Sequence, residues 1–258
     1  MREGTDPSAN PVWRALLLVF SAGFVDAVGF LALAGTFVAF MSGNTSAGGA
    51  LAGILDGARA LRQLFPLPFF VAGIYAGALA VQAAPPEEQH RRYGMVLFVE
   101  CGLIALILVA ATMAGIRREV PLDPAWRFFT LAAPLAVAMG LQNAMRLDVK
   151  GARLATTYVT GTLHVAAQAL ARATILAWPS RRGLPVSLAA RTEARQVAQV
   201  GLTSFTVWAG FLVGATAGGV LFVRAGLLAL GLPFAVLSIL AMDTLRASRQ
   251  GSRPPLPP

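Results

Sequence analysis

The sequence predicts an all-helical integral membrane protein with about six transmembrane helices and two discontinuous or half-inserted helices. Of its 258 residues, 56% are hydrophobic and 13% are charged, which is roughly half the charge of an average soluble domain. A stretch of about 18 residues without charge can cross the hydrocarbon core as a helix. Such stretches recur along the whole chain, at 27–55, 63–86, 128–145, 154–171, 196–223 and 225–242.

The strongest apolar stretches give the six spans and a single membrane domain over 1–258. The apolar run after Trp13 is long for a cleaved signal peptide, so we expect it to remain as the first span. The tail from Ser248 ends in PPLPP, a composition typical of disorder. The predicted spans are 13–34, 66–84, 94–116, 126–146, 199–222 and 225–243.

Two weaker segments, 40–58 and 154–178, are apolar but rich in Gly, Ser, Thr and Asn. We expect them to enter the membrane partly, although full crossing of both would give eight spans. With either number, most of the 21 Lys and Arg lie on the same side as both termini. Because cytoplasmic loops are enriched in these residues, both termini are predicted to be cytoplasmic.

Residues 13–116 and 126–243 are predicted to be two homologous repeats, because short motifs recur in the same order. Three spans in each half would make an inverted repeat, the arrangement of many secondary transporters; four would make parallel repeats. The fourth pair of motifs places Glu100 and Arg224 at equivalent positions. The pairs are GFVD and GLQN, MSGN and VTGT, FVAGIYAGAL and WAGFLVGATAGG, and LFVECGLIAL and LFVRAGLLAL.

Two motifs carry a resemblance to a known family. An aspartate in the first span is followed by a Ser-Gly-Asn step, and the second half contains GLQNAMRLDVKGARLATTYVTGTL, residues 140–163. The sequence resembles the YoaK family of bacterial multi-pass membrane proteins over most of residues 13–243, although Phe40 stands where that family commonly has a histidine. The resemblance implies the fold and no particular chemistry. The matching positions are Asp26, Ser42, Gly43, Asn44, Gln142, Asn143, Thr157, Thr160, Gly161 and Thr162.

Asp26 is the main candidate for a functional residue. An ionised acid in mid-span costs roughly 3 kcal/mol on insertion scales, so such residues usually face a bundle interior. It is predicted to bind a proton or cation, or else to hold two helices by a hydrogen bond. We expect Asp26, Asn44, Asn143, Thr160 and His164 to converge on one polar cavity, with Asp26 and His164 forming a proton relay.

The polar face of segment 154–178 leaves two interpretations open. Five polar residues recur every four positions and therefore share one face of a helix: Thr156, which lies outside the residues that the structure describes, and Thr160, His164, Gln168 and Arg172. That face could line a polar cavity or lie at the membrane interface. Segments 40–58 and 154–178 are also predicted to place helix starts inside the membrane, where free N–H groups favour an anion; close helix packing by small residues is the alternative.

The first functional hypothesis is a small-solute transporter or permease in a bacterial inner membrane, in one form proton-coupled. The alternatives are an intramembrane enzyme, such as a serine hydrolase using Ser42 or Ser46 with His164, and a structural or accessory membrane protein. Known catalytic and phosphate-binding motifs are missing, so we expect no enzyme, metal or cofactor. The expected partners are the lipid bilayer and an unknown small solute but no nucleic acid, and the sequence leaves open a homo-oligomer.

Overall fold

The computed structural model describes residues 12–116, 125–145, 147–149, 152–154, 157–182 and 185–251. The described chain is almost entirely helical. A short antiparallel pair of strands, β1 (Leu147–Val149) and β2 (Ala152–Leu154), and a 3-10 turn, Gly226–Leu230, interrupt it. The helices are α1 (Val12–Ala32), α2 (Met41–Gly53), α3 (Gly57–Leu64), α4 (Pro66–Gln82), α5 (Pro86–Met113), α6 (Trp126–Asn143), α7 (Val159–Arg181), α8 (Leu188–Ala225) and α9 (Gly231–Gly251).

The helical class predicted from the sequence is confirmed, and each predicted span contains a helix. In the described residues, four helical segments are long and apolar enough to cross a membrane: Val12–Ala32, Gly57–Gln82, Pro86–Met113 and Leu188–Ser248. The last of these contains both α8 and α9, with Gly226 at a positive φ of 61° between them. A total of six spans stays a prediction.

One predicted boundary is wrong. The disordered tail was expected from Ser248, but α9 continues to Gly251. Ser, Arg and Gln at 248–250 have enough helix propensity to extend a helix that is already nucleated by packing. Residues 252–258 lie outside the described part of the chain.

The core lies between α1, α5, α6 and α9, each of which contacts two of the others. Helix α8 packs on the outside of α1, and α4 packs on the outside of α6. Apolar side chains fill the centre. The largest fully buried ones include Phe24, Phe128, Leu135, Met139 and Leu237.

Helices α1 and α8 cross at glycines. A Cβ atom at Gly214 would lie 2.8 Å from the carbonyl carbon of Phe20, and one at Gly218 would lie 2.6 Å from the carbonyl oxygen of Phe24. Conversely, Gly23 lies directly against the backbone of Phe211. The residue numbers of α1 and α8 rise together through these contacts, so the two helices run parallel.

Helices α4 and α6 cross in the same way. A Cβ atom at Gly140 would lie 3.0 Å from the Cα of Gly73, and one at Gly77 would lie 2.7 Å from the Cβ of Ala144. Gly140 also lies directly against the carbonyl of Phe70, and Gly73 against that of Val137. These helices are therefore parallel too, and only glycine permits so close an approach of two backbones.

The contacts of α5 fix the direction of the remaining helices. Gly94 of α5 lies against Leu245 of α9, and Cys101 bonds to Ser238, so α5 and α9 are antiparallel. At the end of the bundle where α5 begins, Arg14 of α1 forms a salt bridge of 2.5 Å with Asp243 of α9. Helices α1 and α5 therefore start at the same end.

Helix α7 and residues 188–206 of α8 form an antiparallel hairpin, here called the arm. Arg172 donates to Glu193 at 2.5 Å, and Gly201 packs against Leu170 and Ala166. Gly210 lies beside Leu16, near the start of α1. Residues 188–209 of α8 therefore extend about 30 Å beyond that point, at a helical rise of about 1.5 Å per residue.

Candidate polar sites in the bundle

Asp26 holds the loop between α1 and α2. Its Oδ1 atom accepts hydrogen bonds from the backbone N–H groups of Val38 (2.9 Å), Ala39 (2.7 Å) and Phe40 (3.3 Å). The Asp26 side chain is buried in α1, with 3% of the residue exposed. Three backbone donors, two of them buried, are thereby satisfied by one side-chain oxygen. This is the structural role that the sequence left as the alternative to a proton or cation site.

Asn44 holds the same loop from the other side. Its Oδ1 accepts from the N–H of Phe37 at 2.9 Å, and its Nδ2 donates to the carbonyl of Phe37 at 2.6 Å. The loop also turns through Ala34 and Gly35, both at positive φ. The two polar side chains replace the backbone bonds that a helix or strand would otherwise supply.

Asn143 makes a similar contact after α6. Its Oδ1 accepts from the hydroxyl of Thr157 at 3.0 Å and from the N–H of Thr157 at 3.4 Å. Thr157 follows Asn143 by the same number of positions as Phe40 follows Asp26. In each case a polar side chain near the end of a core helix binds the segment that leads into α2 or α7.

Glycines near the start of α2 and α7 lie under aromatic rings. Gly43 is covered by the ring of Phe40, and Gly161 by the ring of Tyr158. In both cases the ring belongs to the residue three positions earlier. A Cβ at either glycine would overlap the ring, so these glycines serve aromatic packing; no ligand contact is needed to explain them.

The predicted site residues form two groups at different depths. Gln142 donates from Nε2 to the carbonyl of Leu18 at 2.7 Å, which places the Gln142–Asn143 pair beside Leu18. Asp26 lies eight residues further along α1, about 12 Å away along the axis. The geometry therefore separates the Asp26–Asn44 group from the Gln142–Asn143–Thr157 group and does not form the single cavity that was expected.

His164 lies still further from Asp26. His164 lies two residues before Ala166, which contacts Gly201 of the arm. Asp26 lies six residues beyond Phe20 in α1, and Phe20 contacts Gly214 of α8. Along α8 and α1 this separation amounts to about 25 Å. The proton relay and the pairing of His164 with a serine of α2 are not assembled in this structure.

The other predicted residues are at the surface. Ser42, Thr160 and His164 are exposed, as are Gln168 and Arg172 on the same face of α7. Gln168 and Arg172 line a shallow open groove between α7 and α8 with Ile175 and Val197. This face of α7 therefore does not line a cavity in the bundle core, and its position at the membrane interface stays a prediction.

Glu100 entered the sequence analysis only as the counterpart of Arg224. It lies in the middle of α5 and is fully buried, at 0% exposure, and neither carboxyl oxygen has a hydrogen-bond partner among the described residues. Arg224, by contrast, is exposed in the last turn of α8. The available signal for Glu100 was a charged residue inside an apolar stretch. Its match with Arg224 by sequence similarity pairs the middle of α5 with the end of α8.

Comparison with known proteins identifies the family. A family model described as a protein of unknown function (DUF1275) matches residues 14–242. The chain belongs to the DUF1275 family. Its similarity to UPF0700 transmembrane protein RA0705 of Rhizobium meliloti (strain 1021) is 30% identity over 231 residues, covering 90% of this chain and 84% of that protein.

The similarity to RA0705 agrees with the membrane assignment, since that relative is itself named a transmembrane protein. Neither description mentions YoaK, so that resemblance stays a prediction. No solved structure matches this chain. The chemistry of the DUF1275 chain therefore has to be argued from its own residues.

Proposed function

We propose that this protein is a small-solute transporter of the inverted-repeat type. The observation that carries the proposal is the reciprocal helix crossing: α1 packs on α8 as α6 packs on α4. Phe20 and Phe24 approach Gly214 and Gly218 of α8, and Val137 and Leu141 of α6 approach Gly73 and Gly77 of α4. Each half thus contributes one helix to the other's outer pair.

The directions of the helices support inversion. Gln142, next to last in α6, donates to the carbonyl of Leu18 in the first half of α1. Helix α6 therefore ends at the end of the bundle where α1 begins, so α1 and α6 run in opposite directions. Two halves related in this way are the framework on which many secondary transporters alternate between inward-facing and outward-facing states.

Polar side chains that hold irregular loops also support the proposal. Loops inside a membrane are tolerated where protein buries them or where they line a cavity. Here Asp26 and Asn44 satisfy the loop before α2, and Asn143 binds the one before α7. A rigid loop next to a close-packed, glycine-lined crossing is suited to one half rocking against the other.

Uptake by proteoliposomes tests the proposal with a mixture of solutes in place of one chosen substrate. Purified protein would be reconstituted, incubated with a filtered mixture of small cellular metabolites, and the vesicle contents compared by mass spectrometry with protein-free vesicles. We expect at least one small solute to accumulate only with protein. A control preparation carrying Gly102→Ala, whose Cβ meets no atom within 4 Å, should behave like the wild type. Identical contents with and without protein, in both membrane orientations, would refute transport.

A further inference from the structure

The buried carboxyl group of Glu100 differs from that of Asp26 in one respect. Asp26 receives three backbone N–H donors, whereas both oxygens of Glu100 lack any partner among the described residues. An ionised carboxylate without donors in a dry interior is very unfavourable. Glu100 therefore needs a proton or a bound cation in this conformation.

Two further orphaned groups lie on neighbouring core helices. The Oε1 atom of Gln142 in α6 and the hydroxyl of Ser21 in α1 are buried and have no partner among the residues described. Both residues are 0% exposed. Buried polar atoms without partners are uncommon in folded proteins, and each one needs a physical explanation.

The three groups lie within about one helical turn of one another along the bundle axis. Gln142 is joined to Leu18 by its hydrogen bond, and its neighbour Leu141 belongs to one small buried cluster with Val81 and Val96. Ser21 lies one turn beyond Leu18, and Glu100 lies one turn beyond Val96 on the same face of α5. Helices α1 and α5 start at the same end of the bundle. The step from Leu18 to Ser21 and the step from Val96 to Glu100 therefore run in the same direction along the bundle axis, by about 5 Å each.

We propose that Glu100 is a proton-binding residue in a polar site that it shares with Gln142 and Ser21 in the core of the bundle. The unpartnered atoms of these three residues are three acceptor oxygens and one hydroxyl, so the set holds a single donor for three acceptors. A proton on Glu100 removes its charge and supplies a second O–H donor.

The charged groups of the neighbouring helices do not supply a counter-ion. In α9, Asp243 is already paired with Arg14 of α1, and Arg246 lies one turn closer to the end of the helix. Helix α4 carries no charged residue, and Arg127 of α6 is at the opposite end of the bundle from Gln142. Cys101 is adjacent to Glu100. The charged or titratable residues of α5 near its start are Glu87, Glu88, His90, Arg91, Arg92 and Tyr93.

Carbodiimide labelling tests the proton site directly. Dicyclohexylcarbodiimide partitions into apolar interiors and requires a protonated carboxyl group: the acid proton moves to a carbodiimide nitrogen and the carboxylate adds to the central carbon. In purified protein, peptide mass spectrometry should find the adduct at Glu100, with a rate that falls as the pH is raised. Asp26, whose Oδ1 is held by three amides, should remain unlabelled. Absence of the Glu100 adduct at every pH from acidic to alkaline would overturn the proposal.

Sodium ions provide the second arm of this experiment. Labelling at constant pH in sodium chloride should equal that in choline chloride if the site takes a proton. Protection by sodium would show a metal cation at Glu100 and refute the proton assignment. Glu100→Gln, which is neutral and of the same shape, should fold at least as well as the wild type and lose the adduct.

A role for this proton in coupling rests on the proposed transport function, and the two can fail separately. Adduct formation at Glu100 without any solute uptake would leave the proton site and remove the transporter. Uptake that Glu100→Gln leaves unchanged, with or without a pH gradient, would leave the transporter and remove Glu100 from its coupling mechanism.

Discussion

A single carboxylate oxygen of Asp26 binds three successive backbone amides, while Asn143 binds one residue, Thr157, through its N–H and hydroxyl. An amide side chain retains one acceptor oxygen, so it can replace a carboxylate in this role. Charge is therefore not required at position 26. This separates Asp26 from Glu100, whose oxygens hold no part of the backbone.

Asp26→Ala should destabilise the protein by at least about 2 kcal/mol, because each buried N–H donor left without a partner costs about 1–3 kcal/mol. Asp26→Asn should keep most of the stability. Asn143→Ala should cost less than Asp26→Ala, since it releases fewer donors. Thermal melting in detergent measures all three. An Asp26→Ala protein as stable as Asp26→Asn would contradict the structural role.

Sequence reasoning found Asp26 and Asn143 and paired them by position in the chain. It could not find their hydrogen-bond partners, because these lie 12 to 14 residues further on across a loop of irregular backbone. For Glu100 it erred differently. The sequences around Glu100 and Arg224 are similar, but Glu100 lies in the middle of α5 and Arg224 lies at the end of α8.

At the scale of elements, glycines determine which helices pair. The sequence shows the Gly-x-x-x-Gly spacing at Gly73, Gly77, Gly210, Gly214 and Gly218, which is typical of close helix packing, but not the partner helices. Partner choice depends on contacts far apart in the chain, and periodicity within one helix carries no information about them.

Gly140→Ala and Gly214→Ala should each destabilise the protein by about 1–3 kcal/mol, as expected for overpacking of a close contact. At both positions the new methyl group would meet backbone atoms of the facing helix, which cannot rotate away. Gly102→Ala, in open space on α5, is the matched control and should melt like the wild type. Equal melting of all three variants would disprove the backbone-to-backbone crossings.

The pairing of α7 with the first part of α8 in the arm is a feature that the sequence did not predict. Residues 154–178 are predicted to enter the membrane partly, and the segment that pairs with α7 carries Arg191, Glu193 and Arg195. A two-helix hairpin with this charge is unfavourable in hydrocarbon. The apolar residues of α7 that suggested insertion include those that pack against α8, such as Ala166 and Leu170.

Cysteine labelling tests the position of the arm, and Cys101 is the chain's single cysteine. In a Cys101→Ala background, a cysteine at Gln196 should react rapidly with a water-soluble maleimide. A cysteine at Leu212, which is half exposed on the part of α8 beside α1, should react slowly because lipid surrounds it. Similar rates at both positions would place the arm in the membrane.

At the scale of the whole molecule, the ends of the bundle differ in charge. Arginines in described segments at the end where α1 starts include Arg14, Arg91, Arg92, Arg172, Arg182, Arg191, Arg195 and Arg246. Those at the opposite end are Arg59, Arg62, Arg127 and Arg224. The charge bias read from the sequence is therefore also a bias between two ends of a folded bundle, which the sequence alone could not establish.

The arginine-rich end is predicted to face the cytoplasm, together with both termini and the arm. The salt bridge between Arg14 and Asp243 ties the start of α1 to the end of α9, so the orientation of either fixes the other. In the Cys101→Ala background, an impermeant maleimide should label a cysteine at Gln196 in inside-out vesicles but not in intact spheroplasts.

A cysteine at Gly57, the first residue of α3 at the opposite end of the bundle, should give the reverse pattern. Its exposure and the absence of any atom within 4 Å of a Cβ there make this substitution harmless to packing. Labelling of both cysteines from one side would mean that the two ends of the bundle do not face opposite compartments. That result would remove the inverted arrangement of the halves, because α1 and α6 could not then cross the membrane in opposite directions.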